Sequence, residues 1–99
     1  MEKVPVIWSE NTKNQLQEIY LYIAEESLLQ ADRIFKKLTE STSSLPEHPH
    51  KYPLDKYKTN NNGNYRAYEI YHYRISYKIT ETAIYIVRIR STHQNPEQY

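Results

Sequence analysis

Ninety-nine residues with a hydrophobic fraction of 38% make one domain, expected over 1–99, with enough apolar side chains for a single core. There is no cysteine, which excludes disulfides and thiolate chemistry and leans towards the cytosol; no segment has the apolar run of a signal peptide or a membrane span. The net charge of +1 conceals two halves: residues 1–50 carry five basic against eight acidic side chains, residues 51–99 eight against four, and a basic half draws in nucleic acid or an acidic protein.

Along the chain, Val4, Val6 and Trp8 alternate with Lys3, Pro5 and Ile7, which predicts a short strand. Pro5 has no amide to donate, so an edge position suits it. Ser9 is placed to cap a helix, with Glu10 favourable in its first turn. Leu16, Ile19, Tyr20 and Ile23 then follow the i, i+3, i+4, i+7 spacing of one buried stripe. Ser27 and Gln30 have the spacing of a capping box at the start of a second helix. Ala31, Ile34, Phe35, Leu38 and Leu45 continue the buried face of that helix. The two helices follow each other almost directly, which predicts an antiparallel hairpin. The run Ser41-Thr42-Ser43-Ser44 weakens helix propensity and Pro46 ends it.

Pro46, Pro49 and Pro53 make residues 46–63 an extended connector, closed by the polar turn Asn60-Asn61-Asn62-Gly63-Asn64. Three strands are predicted next, at 65–71, 73–79 and 83–90, joined by short turns near His72 and Thr80–Thr82 and therefore antiparallel. Pro96 stops further pairing in the polar tail. The order β-α-α-β-β-β predicts an α+β fold, a helix hairpin packed on one face of a small antiparallel sheet.

Eleven tyrosines, nine of them after residue 50, fit both a sheet and an interaction surface. Period two puts Tyr73, Ile75, Tyr77 and Ile79 on one face of their strand and Arg74, Ser76 and Lys78 on the other. In the last strand it groups Tyr85, Val87 and Ile89 against Ile84, Ile86, Arg88 and Arg90. The first group of each strand is expected against the helices. The second groups, with Arg66, form a candidate basic face for phosphate or an acidic partner: Arg66, Arg74, Lys78, Arg88 and Arg90. Arg suits phosphate because its planar fork donates two parallel hydrogen bonds and stays charged. The competing reading is a solvated face whose charges serve solubility and blunt the sheet edge. His93 and Tyr99 lie just past the last strand, where a His can exchange a proton and a Tyr can donate one or stack. His48 and His50 flank Pro49 without a third ligand at metal spacing, so no metal site is expected. No phosphate-binding glycine loop, nucleophile elbow or paired acids are present.

The stretches IYLYIAEES (19–27), LPEHPHKYP (45–53), YR (65–66), YRISYKI (73–79) and IVRIRSTHQNPEQY (86–99), in that order, resemble the RelE/ParE superfamily of toxins from bacterial type II toxin–antitoxin modules, and more closely its ParE-like members. The resemblance implies a small cytoplasmic protein that arrests growth, needs no cofactor and is neutralised by a cognate antitoxin, whose acidic segment folds on binding. ParE-like members poison DNA gyrase. RelE-like members cut ribosome-bound mRNA without a metal. Carried over from the RelE-like pattern, Arg74 matches the strand arginine, Tyr99 matches the C-terminal catalytic tyrosine, and His93 stands where the pattern has an arginine. The basic pair ahead of the strand arginine falls on Tyr65 and Ala67, with Arg66 between them. If the protein is a ribonuclease, the resemblance thus implies Arg74, His93 and Tyr99 as its catalytic residues. The gyrase reading makes the same surface a docking face. A relative that only binds its antitoxin is the third reading.

Overall fold

The computed structural model describes residues 3–99. Its elements are β1 (Val6–Trp8), α1 (Glu10–Ala24), α2 (Leu28–Ser43), β2 (Tyr65–Ile70), β3 (Tyr73–Ile79) and β4 (Ile84–Ser91). The four strands form one sheet in the order β1-β4-β3-β2. The pairs β2–β3 and β3–β4 are antiparallel as expected. The sheet as a whole is mixed, because β1 runs parallel to β4 at its outer edge. The helix hairpin lies between these two strands in the chain, so the backbone has room to return for parallel pairing. Pro5 sits just ahead of β1, and its carbonyl accepts the Ile84 amide.

Local chemistry explains both helix starts. Ser9 adopts extended backbone and its Oγ accepts the Thr12 amide. Ser27 does the same for the Gln30 amide. The Ser27 capping box is half made, since the Ser27 amide donates to the Ile23 carbonyl, the previous helix's end, instead of to Gln30. At the end of α2 the hydroxyls of Ser41, Thr42 and Ser43 donate to the carbonyls of Leu38, Thr39 and Glu40. Such short back-bonds compete with the helical ladder, and the helix stops three residues before Pro46.

The core lies between the hairpin and one sheet face. It joins Leu16 of α1, Leu38 of α2 and Leu45 beyond it to Tyr68, Ile75, Tyr77, Ile84, Ile86 and Ile89. Ile19, Ile34, Tyr73 and Ile79 pack at its margin. Phe35, expected in this face, is 42% exposed and packs edge-on against Tyr20 instead.

Two face assignments differ from simple alternation. Between Ser76 and Tyr77 the β3–β4 register shifts: Arg88 pairs with Ser76 while Ile86 pairs with Tyr77. Val87 is the extra residue of a β-bulge, and a bulge inverts the parity of everything on one side of it. Ile84 and Ile86 are therefore fully buried against the helices, whereas Tyr85 pairs with Lys78 on the far face. The second correction concerns Arg66. It pairs with Tyr77, so it shares the helix-side face with Tyr68 and Ile70 and is separated from Arg74 by the thickness of the sheet. Its guanidinium donates to the connector carbonyls of Tyr52 and His50.

The connector is less extended than its prolines suggest. It turns repeatedly and then runs along the free edge of β2, with Leu54 bridging to Arg66 and with the Asp55 amide donating to the Tyr65 carbonyl. Asn61 organises the closing turn, its side chain accepting the amides of Gly63 and Tyr65. Beyond the end of β1, the Ile89 amide of β4 is satisfied by the Gln15 side chain of α1. No helix is long and apolar enough to cross a membrane among the described residues.

Candidate functional site

The far face of the sheet is where the sequence placed its chemistry, and alternation with the bulge sets its members. From β2 come Tyr65, Ala67 and Glu69; from β3, Arg74, Ser76 and Lys78; from β4, Tyr85, Arg88 and Arg90. Arg74, Lys78, Arg88 and Arg90 thus share one face, with Arg74 directly opposite Arg90. Arg66 is absent from it, as described above.

This face is covered by chain on both sides. The connector lays Asp55, Tyr57 and Lys58 over it, and the tail returns so that the Tyr99 amide donates to the Tyr57 carbonyl while the Tyr99 carbonyl accepts from the Thr59 amide and hydroxyl. At the centre is Asp55, whose side chain is wholly buried. Its Oδ1 accepts from Arg74 at 2.9 Å and from the Tyr57 amide at 3.1 Å, and its Oδ2 accepts from the Tyr99 hydroxyl. The buried Ser76 hydroxyl beneath them has no hydrogen-bond partner among the described residues. Aromatic rings cover the cations: Arg74 lies 4.9 Å from the Tyr57 ring centre and Arg88 4.2 Å from that of Tyr99. Lys58 and Lys78 reach the Tyr65 ring.

The electrostatics follow from burial. Burial alone would raise the Asp55 carboxyl, but the hydrogen bonds from Tyr99 and Arg74 outweigh it and hold it below the usual carboxylate range. Tyr99 is pushed well above the ordinary phenol range, first by burial and then by its bond to Asp55. The pair stays a carboxylate and a neutral phenol throughout the physiological range. Burial is also the largest influence on Arg88, and with the neighbouring arginine charges it draws that group down from the arginine range. Tyr99 therefore holds its proton tightly, with its hydroxyl committed to Asp55.

Arg74 and Tyr99 meet at Asp55, and Arg88 lies against the Tyr99 ring. Arg90 pairs with Glu97 at 3.4 Å. His93 stands apart. Its imidazole is exposed, packs on His72 at 5.1 Å between ring centres, and does not line the cleft between the arginines. Sequence reasoning missed Asp55, Tyr57 and Glu69. Asp55 is one of four acids in the basic half, and that rarity was the signal available for it. Among the described residues no group of three or more acidic, histidine or cysteine side chains is arranged for a metal.

The chain is thus a mixed four-stranded sheet backed by a helix hairpin, with a basic far face. The fold is similar to that of a solved chain described as the chromosomal ParDE TA system from P. aeruginosa, with a TM-score of 0.71 and 15% identity, over 90% of this chain and 96% of that one. No curated protein matches the sequence. The profile of the ParE toxins of type II toxin–antitoxin systems, parDE, matches residues 6–96, and the chain belongs to that family. It is a ParE-like toxin of the type II class.

Proposed function

We propose that this toxin acts in the cytoplasm by docking onto DNA gyrase and poisoning it, without catalytic chemistry of its own. The observation that supports this reading best is the engagement of Tyr99. Its hydroxyl is committed to a buried carboxylate and its proton is held tightly, so it is a poor acid for a leaving oxygen. His93, the base candidate among the residues carried over from the RelE-like pattern, does not line the arginine cleft. Docking has surface available. Leu21, Tyr22, Leu28 and Leu29 are each more than half exposed near the tip of the helix hairpin, and clustered exposed apolar side chains mark protein contacts.

The ribonuclease reading draws on one specific observation, the meeting of Arg74 and Tyr99 at Asp55. The two readings part in a single pair of assays. Purified toxin is expected to block gyrase supercoiling and to leave mRNA intact in a translation extract. Codon-dependent mRNA cuts with supercoiling untouched would overturn the proposal. A protein that does neither, and fails to arrest growth on induction, is a binding module only.

A cognate antitoxin is the proposed second partner. The outer edge of β1 is unpaired among the described residues, and beside it Val6, Ile7, Trp8, Leu16 and Phe35 line an open groove of about 520 Å³. An edge with an apolar groove suits a segment that orders on binding.

A further inference from the structure

The β2–β3 turn and the start of the tail bring two histidines together. The ring centres of His72 and His93 stand 5.1 Å apart with their planes tilted by 34°. Aromatic pairs favour offset-parallel or edge-on arrangements, and this tilt is neither, so ring stacking does not account for the pairing. The spacing meets a different requirement. Two imidazoles that share one ion through nitrogens at about 2.0–2.1 Å have ring centres roughly 5 Å apart. Backbone bonds hold the two positions. The His72 carbonyl accepts the Thr92 amide at 2.8 Å and the Thr92 hydroxyl at 3.1 Å, and the His93 amide donates to the Ser91 hydroxyl oxygen at 3.2 Å. Both residues are exposed, and neither imidazole has a hydrogen-bond or ion-pair partner among the described residues.

We propose that His72 and His93 form a two-histidine site for a divalent transition ion of the zinc, nickel or copper class, with water completing its coordination. Neutral imidazole is a preferred ligand of these ions, whereas magnesium and calcium take oxygen ligands. Two protein ligands leave the site open, so it binds reversibly and more weakly than a closed structural zinc site. Exposure keeps the desolvation cost of the ligands small, and the bonds to Thr92 and Ser91 order them before the ion arrives. Once bound, the ion links the β2–β3 turn to the tail that returns over the far face. His48 and His50 carry the same chemistry, but no ring contact joins them among the described residues. The site stands whichever target the toxin engages.

The test is a titration of the full chain, free of any histidine tag, with zinc chloride, followed by the imidazole NMR resonances. Saturation at one ion per chain is expected, with shifts centred on His72 and His93, and magnesium chloride should produce none of them. His72→Asn keeps a residue that tolerates a φ of 66° and should weaken zinc by at least about tenfold, as should His93→Ala. His48→Ala combined with His50→Ala should leave the affinity unchanged. Should either single variant lose its fold, the location of the shifts in the parent decides. Shifts centred on His48 and His50, a failure to saturate, one ion shared by two chains, shifts that magnesium reproduces, or an affinity that either His72→Asn or His93→Ala leaves intact would overturn the proposal.

Discussion

Asp55 is the residue on which the far face depends. It satisfies a guanidinium, a backbone amide and a phenol at once, and it does so without exposure to solvent. Removing it leaves Arg74 with only the exposed Glu69 carboxylate at 3.4 Å, so Asp55→Ala should cost about 3 kcal/mol in urea unfolding. Its depressed carboxyl also sets a pH dependence. A carboxylate held below its unfolded value of 3.8 contributes stability that is complete above that value and is lost as pH falls through the folded one. Thermal midpoints of the native protein should therefore be insensitive to this group above about pH 5 and fall below pH 4, and Asp55→Asn should flatten part of that fall. Tyr99→Phe removes one hydrogen bond and should cost about 1 kcal/mol. On the docking reading it leaves growth arrest intact, which an induction assay measures; loss of arrest with the fold retained would count against that reading. Nothing local in Leu54-Asp55-Lys56 signals any of this, because the side-chain partners of Asp55 lie 19 and 44 residues away.

At the scale of the element, the hairpin between β2 and β3 is under backbone strain. Tyr71 and His72 have φ of 50° and 66°, the positive values that a two-residue turn of this kind requires and that Asn-Gly meets most easily. Each such residue costs on the order of 1 kcal/mol. Replacing the pair by Asn-Gly should stabilise the protein by about 1–2 kcal/mol, a rise of roughly 4–8 °C in Tm per kcal/mol, less whatever the His72–His93 contact contributes. The helices were legible from their caps and stripes because those signals are local. So was the strand face Tyr73, Ile75, Tyr77, whose two-residue period is unbroken. The last strand was legible in extent but not in facing. One bulge at Val87 sends Ile84 and Ile86 inward, and a bulge is chosen by how two strands pair, which neither strand states alone.

For the whole molecule, the contrast is between a covered basic face and an open apolar one. The tail and connector occupy the first. Leu28 and Leu29, 62% and 63% exposed at the start of α2, belong to the second. Leu28→Ser with Leu29→Ser should change stability by no more than about 0.5 kcal/mol per site, since little area is lost from the core. If the hairpin tip docks onto a partner, the same double substitution abolishes growth arrest while urea melts stay near those of the parent; retained arrest would rule the tip out.

What the sequence determined by itself was the inventory and its order: two capped helices, three strands of which two are tyrosine-rich, a basic second half, and the five stretches that resemble the toxin superfamily. These rest on spacings of a few residues, where propensity, capping and periodicity act. The tertiary structure alone decided which charges meet. It put Arg66 on the helix side, carried His93 out of the cleft, and brought Asp55, Arg74, Arg88 and Tyr99 together. Strand register and the return of the tail set those distances, and both are settled by packing between segments far apart in the chain.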